Sequence, residues 1–324
     1  MTWHDGCVVV VVGEALVDLV IGLDGSVIAA LGGAPFNTAR TCGRLGTEVA
    51  FVGAVSEDRF GTLIAAELDR SGVSTELVQR VTVPTTLAAA ELDEHGAATY
   101  RFYSAATSAP ALRPVELPAA TATLFTGGLG LVLEPMADAV GALVEGVGDE
   151  VVVVVDLNCR PAVIADRDAY VARVERVLRR ADVVKVSDDD LRYLSPGEPV
   201  IDAACELLGK GPGVVLLTAG ASHVTVLTQG DERRIAVEPV EVADTIGAGD
   251  AFGGGFVSWW AAAGRGRVEL GDVGLLTDAV VAANRVAGVV CTRHGADPPW
   301  RADLPAGWSG DRVVRIDDID EGAG

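Results

Sequence analysis

Val8-Val9-Val10-Val11-Val12-Gly13 opens with five β-branched residues, and Val151-Val152-Val153-Val154-Val155-Asp156 repeats the pattern far downstream. A run that is apolar at every position has no polar face to offer water. It suits a strand covered on both sides, as in a parallel sheet lying between helix layers. Residues 183–186 form a third such run, and residues 214–218 a fourth, closed by Ala219-Gly220. Between the runs, residues 168–181 carry apolar side chains at helical spacing with arginines on the other face. Residues 202–209 form a shorter helical pattern, stopped by Gly209-Lys210-Gly211-Pro212. Alternation of strand and helix predicts an α/β fold, doubly wound, with a mostly parallel central sheet flanked by helices.

Two stretches break that rhythm. Residues 16–31 and 85–103 alternate apolar and polar side chains, with turn signals at Leu23-Asp24-Gly25 and Asp93-Glu94-His95-Gly96. Both read as β-hairpins, expected to form a small separate sheet inserted into the larger domain. The expected division is 1–15, 33–84 and 105–315 for the large α/β domain, 16–32 and 85–104 for the small β lid, and a frayed tail over 316–324. No low-complexity linker, internal repeat or coiled-coil heptad is evident.

Composition narrows the function. The chain has 324 residues, a net charge of −21 and about half apolar residues. A chain this long buries a sizeable core without disulfide staples. Such an acidic surface argues against nucleic acid or an anionic membrane as partner, because both select basic surfaces. It does not exclude an anionic substrate in a locally electropositive site. The cysteines Cys7, Cys42, Cys159, Cys205 and Cys291 are odd in number, widely spaced and without a C-x-x-C pair. They read as reduced thiols, which predicts a cytoplasmic protein. The histidines His4, His95, His223 and His294 show no zinc-ligand spacing. The first residues lack the basic region of a secretory leader, and no apolar run reaches the ~18 residues a membrane span needs.

The segment richest in chemistry is Asp244-Thr245-Ile246-Gly247-Ala248-Gly249-Asp250-Ala251-Phe252-Gly253-Gly254-Gly255-Phe256. It follows an extended stretch, 235–242, and precedes an apolar run, 256–263, expected to be helix. A glycine-rich turn feeding a helix lets backbone N–H groups converge on an anion, and the helix dipole favours negative charge there. Asp250 would then be a base beside an anion hole made by Gly247, Ala248 and Gly249. The same residues also suit a tight structural turn with Asp250 as an N-cap. No G-x-x-x-x-G-K-[ST] occurs, and Gly128-Leu129-Gly130 lacks the third glycine of a dinucleotide fingerprint.

This segment resembles the C-terminal signature of the ribokinase-like, or PfkB, carbohydrate kinases. Gly32-Gly33-Ala34-Pro35-Phe36-Asn37-Thr38-Ala39, with Leu45-Gly46 and residues 52–61, is similar to the family's N-terminal signature. The two occur in the expected order, and the resemblance spans about Val8 to Pro299. Residues 13–18, Pro84-Thr85-Thr86 and Asp156-Leu157-Asn158-Cys159-Arg160-Pro161 look most like fructokinases and 2-keto-3-deoxygluconate kinases. The resemblance implies an ATP-dependent sugar kinase with Asp250 as general base. It implies that Asp18, Gly33 and Asn37 bind sugar. A carboxylate and an amide together supply the acceptors and donors that read a polyol. Asn158 and Arg160 fall just past a strand end, where ligands bind in open α/β sheets, and the guanidinium would clamp phosphate.

Ser187 and Asp190 stand where the family's Asn-x-x-Glu element organises magnesium. The shorter acid weakens the match, and Asp188 or Asp189 are substitutes; a solvated helix cap fits equally. Thr218 and Gly220 match the family's nucleotide-lining turn. Asn284 lies where its adenine wall runs, and Asp244 matches its potassium site. ATP and Mg²⁺ are thus implied, with K⁺ as a further candidate and a homodimer as the assembly many relatives form. The family's keto-acid branch reads a carboxylate with an arginine soon after a Phe-Tyr pair. Here Ser104 follows Phe102-Tyr103, and Arg101 alternates away from Tyr100 and Phe102. Fructose therefore leads, ahead of ribose, a nucleoside or 2-keto-3-deoxygluconate. A non-catalytic sugar- or nucleotide-binding regulator is the rival of another class.

Overall fold

The computed structural model describes residues 8–92 and 98–308. The first half of the chain gives β1 (Val8–Val12), β2 (Leu16–Ile21), β3 (Val27–Gly32), α1 (Ala34–Arg44), β4 (Val49–Val52), β5 (Ala54–Ser56) and α2 (Arg59–Arg70). It continues through β6 (Val73–Ser74), β7 (Gln79–Val81), β8 (Leu87–Leu92), β9 (Ala98–Tyr103), β10 (Thr121–Gly127) and α3 (Met136–Gly146). The second half gives β11 (Val152–Asp156), α4 (Arg167–Leu178), β12 (Val183–Ser187), α5 (Asp188–Leu194), α6 (Val200–Leu208) and β13 (Val214–Thr218). It ends with β14 (His223–Leu227), β15 (Glu232–Ala236), α7 (Ala248–Ala262) and α8 (Val273–Cys291).

The four valine-rich runs are neighbouring strands of one nine-stranded sheet, ordered β15-β14-β13-β12-β11-β10-β1-β4-β6. Pairing is parallel from β13 through to β6, and antiparallel only for β14 and β15. Every valine of β1 is at most 1% exposed, which is what an apolar residue at every position requires. Alternate residues serve two cores. Val9, Val11, Val152 and Val154 pack with α1, α7 and α8, while Val8, Val10, Val12, Val153 and Val155 pack with α3, α4 and α6.

The two hairpins form a second sheet, ordered β3-β2-β8-β9. Its central pair, β2 and β8, is parallel, with Asp18 opposite Ala88. The 93–96 turn, the 316–324 tail, and Cys7, His4 and His95 lie outside the described residues. The other four cysteines are free thiols.

Helix α5 starts at Asp188, capped by Ser187. Two sequence expectations shift. The extended stretch is strand only over Glu232–Ala236. Helix α7 starts at Ala248, not at Phe256, so Gly253, Gly254 and Gly255 are buried helix residues. Each glycine costs a helix about 1 kcal/mol relative to alanine. Packing explains their presence. A Cβ on Gly254 would stand 2.6 Å from Thr41 Cβ of α1, and one on Gly255 3.0 Å from Val286 of α8. The glycines let three elements close on one another. Helix α8 is also longer than the apolar runs suggested. Its 19 residues are long and apolar enough to cross a membrane, a property that a buried core helix shares. It packs on α7 and contributes Leu276, Ala279, Val280, Ala283 and Val286 to the core.

The start of α1 is fixed by two unusual contacts. Gly33 caps it at φ 110, and a Cβ there would meet Glu14 O at 2.7 Å. Glu14 is only 2% exposed and accepts from Ala34 N (3.2 Å) and Gly130 N (3.1 Å). It thereby ties α1 to the loop after β10. Burial, reinforced by the charge of Asp250, pushes its carboxyl up to about 8 against those N–H bonds.

Gly254→Val should destabilise the fold by about 1–3 kcal/mol through overpacking, read as a lower urea midpoint; an unchanged midpoint would contradict the close α1–α7 approach. The protonated form of Glu14 is the one the fold favours, so stability should fall as pH rises from its ordinary 4.5 to about 8. Asp18 and Asp156 are raised to about 6 and Asp250 is raised by burial as well, so the Glu14 share is read from the difference between variant and wild type. In urea titrations from pH 6 to 8, Glu14→Gln should flatten the decline, and parallel curves for variant and wild type would refute the assignment.

Candidate active site

The C-terminal ends of β1, β10, β11 and β12, the first turn of α1 and the first turn of α7 gather on one side of the large sheet, with Asp18 of the small sheet near enough to feel the charge of Asp250, and the space among them is the candidate cleft. Asp250 is the third residue of α7, and Gly247 caps the helix at φ 78. Asn37, in the first turns of α1, donates from Nδ2 to Asp250 Oδ2 at 2.9 Å. Thr38 Oγ1 donates to the Asp250 carbonyl at 3.2 Å. Asn37 Oδ1 is buried and has no partner, an acceptor awaiting a donor. The N–H groups of Gly247 and Gly249 have no acceptor among the described hydrogen bonds, as expected for a helix N-terminus. Ala248 N–H donates to Thr245 O at 3.2 Å. Of the three amides expected to meet an anion, those of Gly247 and Gly249 are therefore the two left open.

The turn that walls Gly247 is anchored from below. A Cβ on Gly247 would lie 2.5 Å from Ala296 Cβ. Arg40 donates to Ala296 O at 2.9 Å, and Arg44 to Asp297 and Pro298 O, each at 2.6 Å. Asp244 Oδ2 accepts from Gly295 N (2.9 Å) and Oδ1 from Ile246 N (3.0 Å). Despite the cost of burial, these N–H bonds hold Asp244 below the usual carboxylate range.

Asp18 stands opposite Ala30 and Ala88 in the small sheet, and Ala88 in turn opposite Phe102. Tyr100, two residues before Phe102, shares that face and stacks on it at 6.3 Å. Arg101 points the other way and pairs with Glu91 at 2.9 Å. Asp18 Oδ2 occupies the space where a Gly32 side chain would go, 1.9 Å from its ideal Cβ. Burial first, then the charge of Asp250, push Asp18 up to about 6, with Arg160 opposing. Asp250 is raised by burial against Asn37, Lys185 and Arg160. Tyr100 is raised by burial and by Asp18. The exposed Arg160 acts on all three, so its guanidinium belongs to this cleft.

Not every expected residue joins the cluster. Asn158 adopts a left-handed φ of 39 at the turn leaving β11, a conformation asparagine tolerates. Asp190 accepts from Ser187 N and Oγ through Oδ2, and from Cys159 N through Oδ1 at 2.6 Å. Both carboxylate oxygens thus accept hydrogen bonds that cap α5 and anchor the Asn158–Arg160 turn. Asp188 and Asp189 pair with Arg192. Among the described residues no group of three or more His, Cys, Asp or Glu side chains is arranged to hold a metal ion. Thr218 sits at the end of β13, 3.4 Å from Val186 O, and Gly220 follows at φ 54 in open space. Asn284 on α8 keeps a buried Nδ2 without a partner, a donor suited to a ligand acceptor. No described hydrogen bond links these three to the Asp250 cluster. A cavity of about 500 Å³ beside Thr121, Glu150 and Val151 lies at the N-terminal ends of β10 and β11, and none of the cluster residues lines it.

Sequence reasoning missed Gly32, Tyr100 and a buried pair under α7, Lys185 and Asp156, joined at 2.8 Å. A lysine inside the apolar run Val183-Val184-Lys185-Val186 was the visible signal.

Residues 8–303 match the model of the pfkB family carbohydrate kinases. The fructokinase of Rhizobium leguminosarum bv. trifolii is 32% identical over 254 residues, spanning 76% of this chain and 77% of that protein. A solved fructokinase from Xylella fastidiosa with bound ATP superposes with a TM-score of 0.84 at 25% identity, covering 93% of this chain and 95% of that one. The aminoimidazole riboside kinase of Salmonella enterica, solved with aminoimidazole riboside and an ATP analogue, superposes at 0.78 and 25% identity, covering 89% and 95%. A signature-bearing helix terminus, a mostly parallel sheet with its small companion, and these likenesses agree: the chain belongs to the pfkB family and is an ATP-dependent carbohydrate kinase with a ribokinase-like fold.

Proposed function

We propose that this kinase phosphorylates a primary hydroxyl of fructose, with Asp250 as general base. The observation that carries the reading is the Asn37–Asp250 contact at the open end of α7, facing Asp18 across the cleft. Asp18, Gly33 and Asn37 are read as the sugar site, since carboxylate and amide acceptors suit a polyol. Asp250 takes the proton of the acceptor hydroxyl, that oxygen bonds to the γ-phosphorus, and the bridging P–O bond breaks to release ADP. The open N–H groups of Gly247 and Gly249 stabilise the charge on the transferring group. Burial of Asp250 raises its proton affinity toward the working pH of a base.

Thr218, Gly220 and Asn284 are read as nucleotide contacts, and Arg160 with Asn158 as the border between nucleotide and sugar. Mg²⁺ suits this site if the phosphates themselves carry it with few protein ligands, where it would neutralise phosphate charge. The Asp244 turn, tied to Gly295, is the candidate K⁺ position. The small sheet is read as a lid that closes on the sugar and expels water. Its exposed Leu23, Val27, Ile28 and Tyr103 would suit a second copy of the chain, and the free thiols suit the cytoplasm.

The pairing of Arg101 with Glu91 on the far face supports a neutral sugar. Arg160 beside Asp18 favours one alternative, an acidic sugar such as 2-keto-3-deoxygluconate. A panel of hexoses, pentoses, nucleosides and keto-acids with coupled ADP detection should give fructose the highest kcat/KM; a nucleoside or keto-acid ahead of it would overturn the substrate. Asp250→Asn should lower kcat by ~10²–10⁴-fold while calorimetry still shows sugar binding, and near-wild-type turnover would remove Asp250 from its role.

A further inference from the structure

Lys185 and Asp156 are register partners on adjacent parallel strands, so their side chains share a face of the sheet. That face also carries Val154 and Val183 into the core under α7 and α8. The pair is held at 2.8 Å with side chains 8% and 4% exposed. A Cβ on Gly249 would lie 3.4 Å from Lys185 Nζ. The ammonium therefore packs directly beneath the first turn of α7.

That is an adverse place for a cation. The N-terminus of a helix carries partial positive charge and repels one. A buried ion pair rarely gains stability over apolar side chains of similar size. Nor are the partners satisfied by each other. Among the described contacts Lys185 uses one of its three N–H bonds, and Asp156 Oδ1 is buried with no partner. The conflict disappears once an anion lies at the open amides of Gly247 and Gly249. Helix end, amides and ammonium then all act on it with the same sign.

We propose that Lys185 is a positioning residue, a fixed counter-charge beneath the anion hole that favours both the ionised Asp250 and the transferring phosphoryl group without touching either. The inference rests on the reading of the cleft as a kinase site. The charged groups facing Asp250 are Glu14 and Asp18 from the β1–β2 segment, Asp156 and Arg160 from β11 and its loop, and Lys185 from β12. Arg160 and Lys185 are the two cations in that set. Burial disfavours the Lys185 charge, but Asp156, Asp190 and Asp250 outweigh it and keep the ammonium protonated.

The two partners make a test that separates charge from structure. Lys185→Met removes the cation of the 2.8 Å pair and Asp156→Asn removes its anion while keeping an acceptor oxygen, so the two change the local charge in opposite directions. Without the ammonium, Asp250 holds its proton to higher pH. The acid limb of kcat/KM should move up by about one pH unit in Lys185→Met, with kcat reduced at least ~10-fold. In Asp156→Asn the ammonium is no longer neutralised, and the acid limb should move to lower pH. Calorimetric sugar binding checks that each variant is folded, and if Lys185→Met fails that check the Asp156→Asn shift alone decides. An unmoved limb, or limbs that move together, would overturn the counter-charge. If Asp250→Asn is inactive while Lys185→Met keeps the wild-type profile, only this inference fails; if Asp250→Asn is active, the site reading fails instead.

Discussion

The hydrogen bond from Asn37 to Asp250 joins the first turn of α1 to the first turn of α7, and much of the molecule serves to make it. Both helices must end at the same edge of the sheet and come unusually close. Gly254 and Gly255 remove the side chains that would hold α7 away from α1 and α8. Gly33 lets the chain enter α1 against the Glu14 backbone. Arg40 and Arg44 bind the 295–298 turn against Gly247 from the other side. Each device carries a local penalty, in helix propensity, backbone conformation or buried charge. Together they hold Asn37 of α1 against the Asp250 carboxylate, which stands beside the open amides of its own helix end.

The cleft concentrates acids that repel one another. Glu14, Asp18, Asp156 and Asp250 are all raised chiefly by burial, and Asp250 adds to the shift in the other three. A protein selected for stability alone would not gather them. In the proposed reading the crowding serves phosphoryl transfer: it raises the proton affinity of Asp250 as base and leaves sugar hydroxyls several acceptors. The difficulty is the phosphate, which must approach the same acids. In the same reading the positive end of α7, Arg160 from the rim and Lys185 from beneath supply the opposing charge.

The parallel sheet was legible because β1, β11, β12 and β13 are apolar on both faces, a pattern that few other environments tolerate. The second sheet was legible through alternation and turn residues. The candidate site was legible where chemistry and backbone coincide, as at Gly247–Asp250 and at Gly33–Asn37. It was less so where a residue's task depends on partners distant in sequence. Asp190 reads as a magnesium organiser or a helix cap, and its capping contact with Ser187 is local, but no local pattern announces the bond it accepts from Cys159 N. Gly253–Gly255 read as a turn because their helical cost is visible in sequence and their packing partners, Thr41, Phe125 and Val286, are not. The strand register that pairs Lys185 with Asp156 was equally hidden, although a lysine within a valine run marked it.

The central claim is that the open end of α7 receives the transferring phosphate while Asp250 receives the proton. A crystal structure with fructose and a non-hydrolysable ATP analogue tests it most directly. The account predicts γ-phosphate oxygens within hydrogen-bond distance of the Gly247 and Gly249 amides, with a primary sugar hydroxyl on the Asp250 carboxylate. A γ-phosphate bound away from α7, or a sugar whose hydroxyls do not reach Asp250, would contradict it.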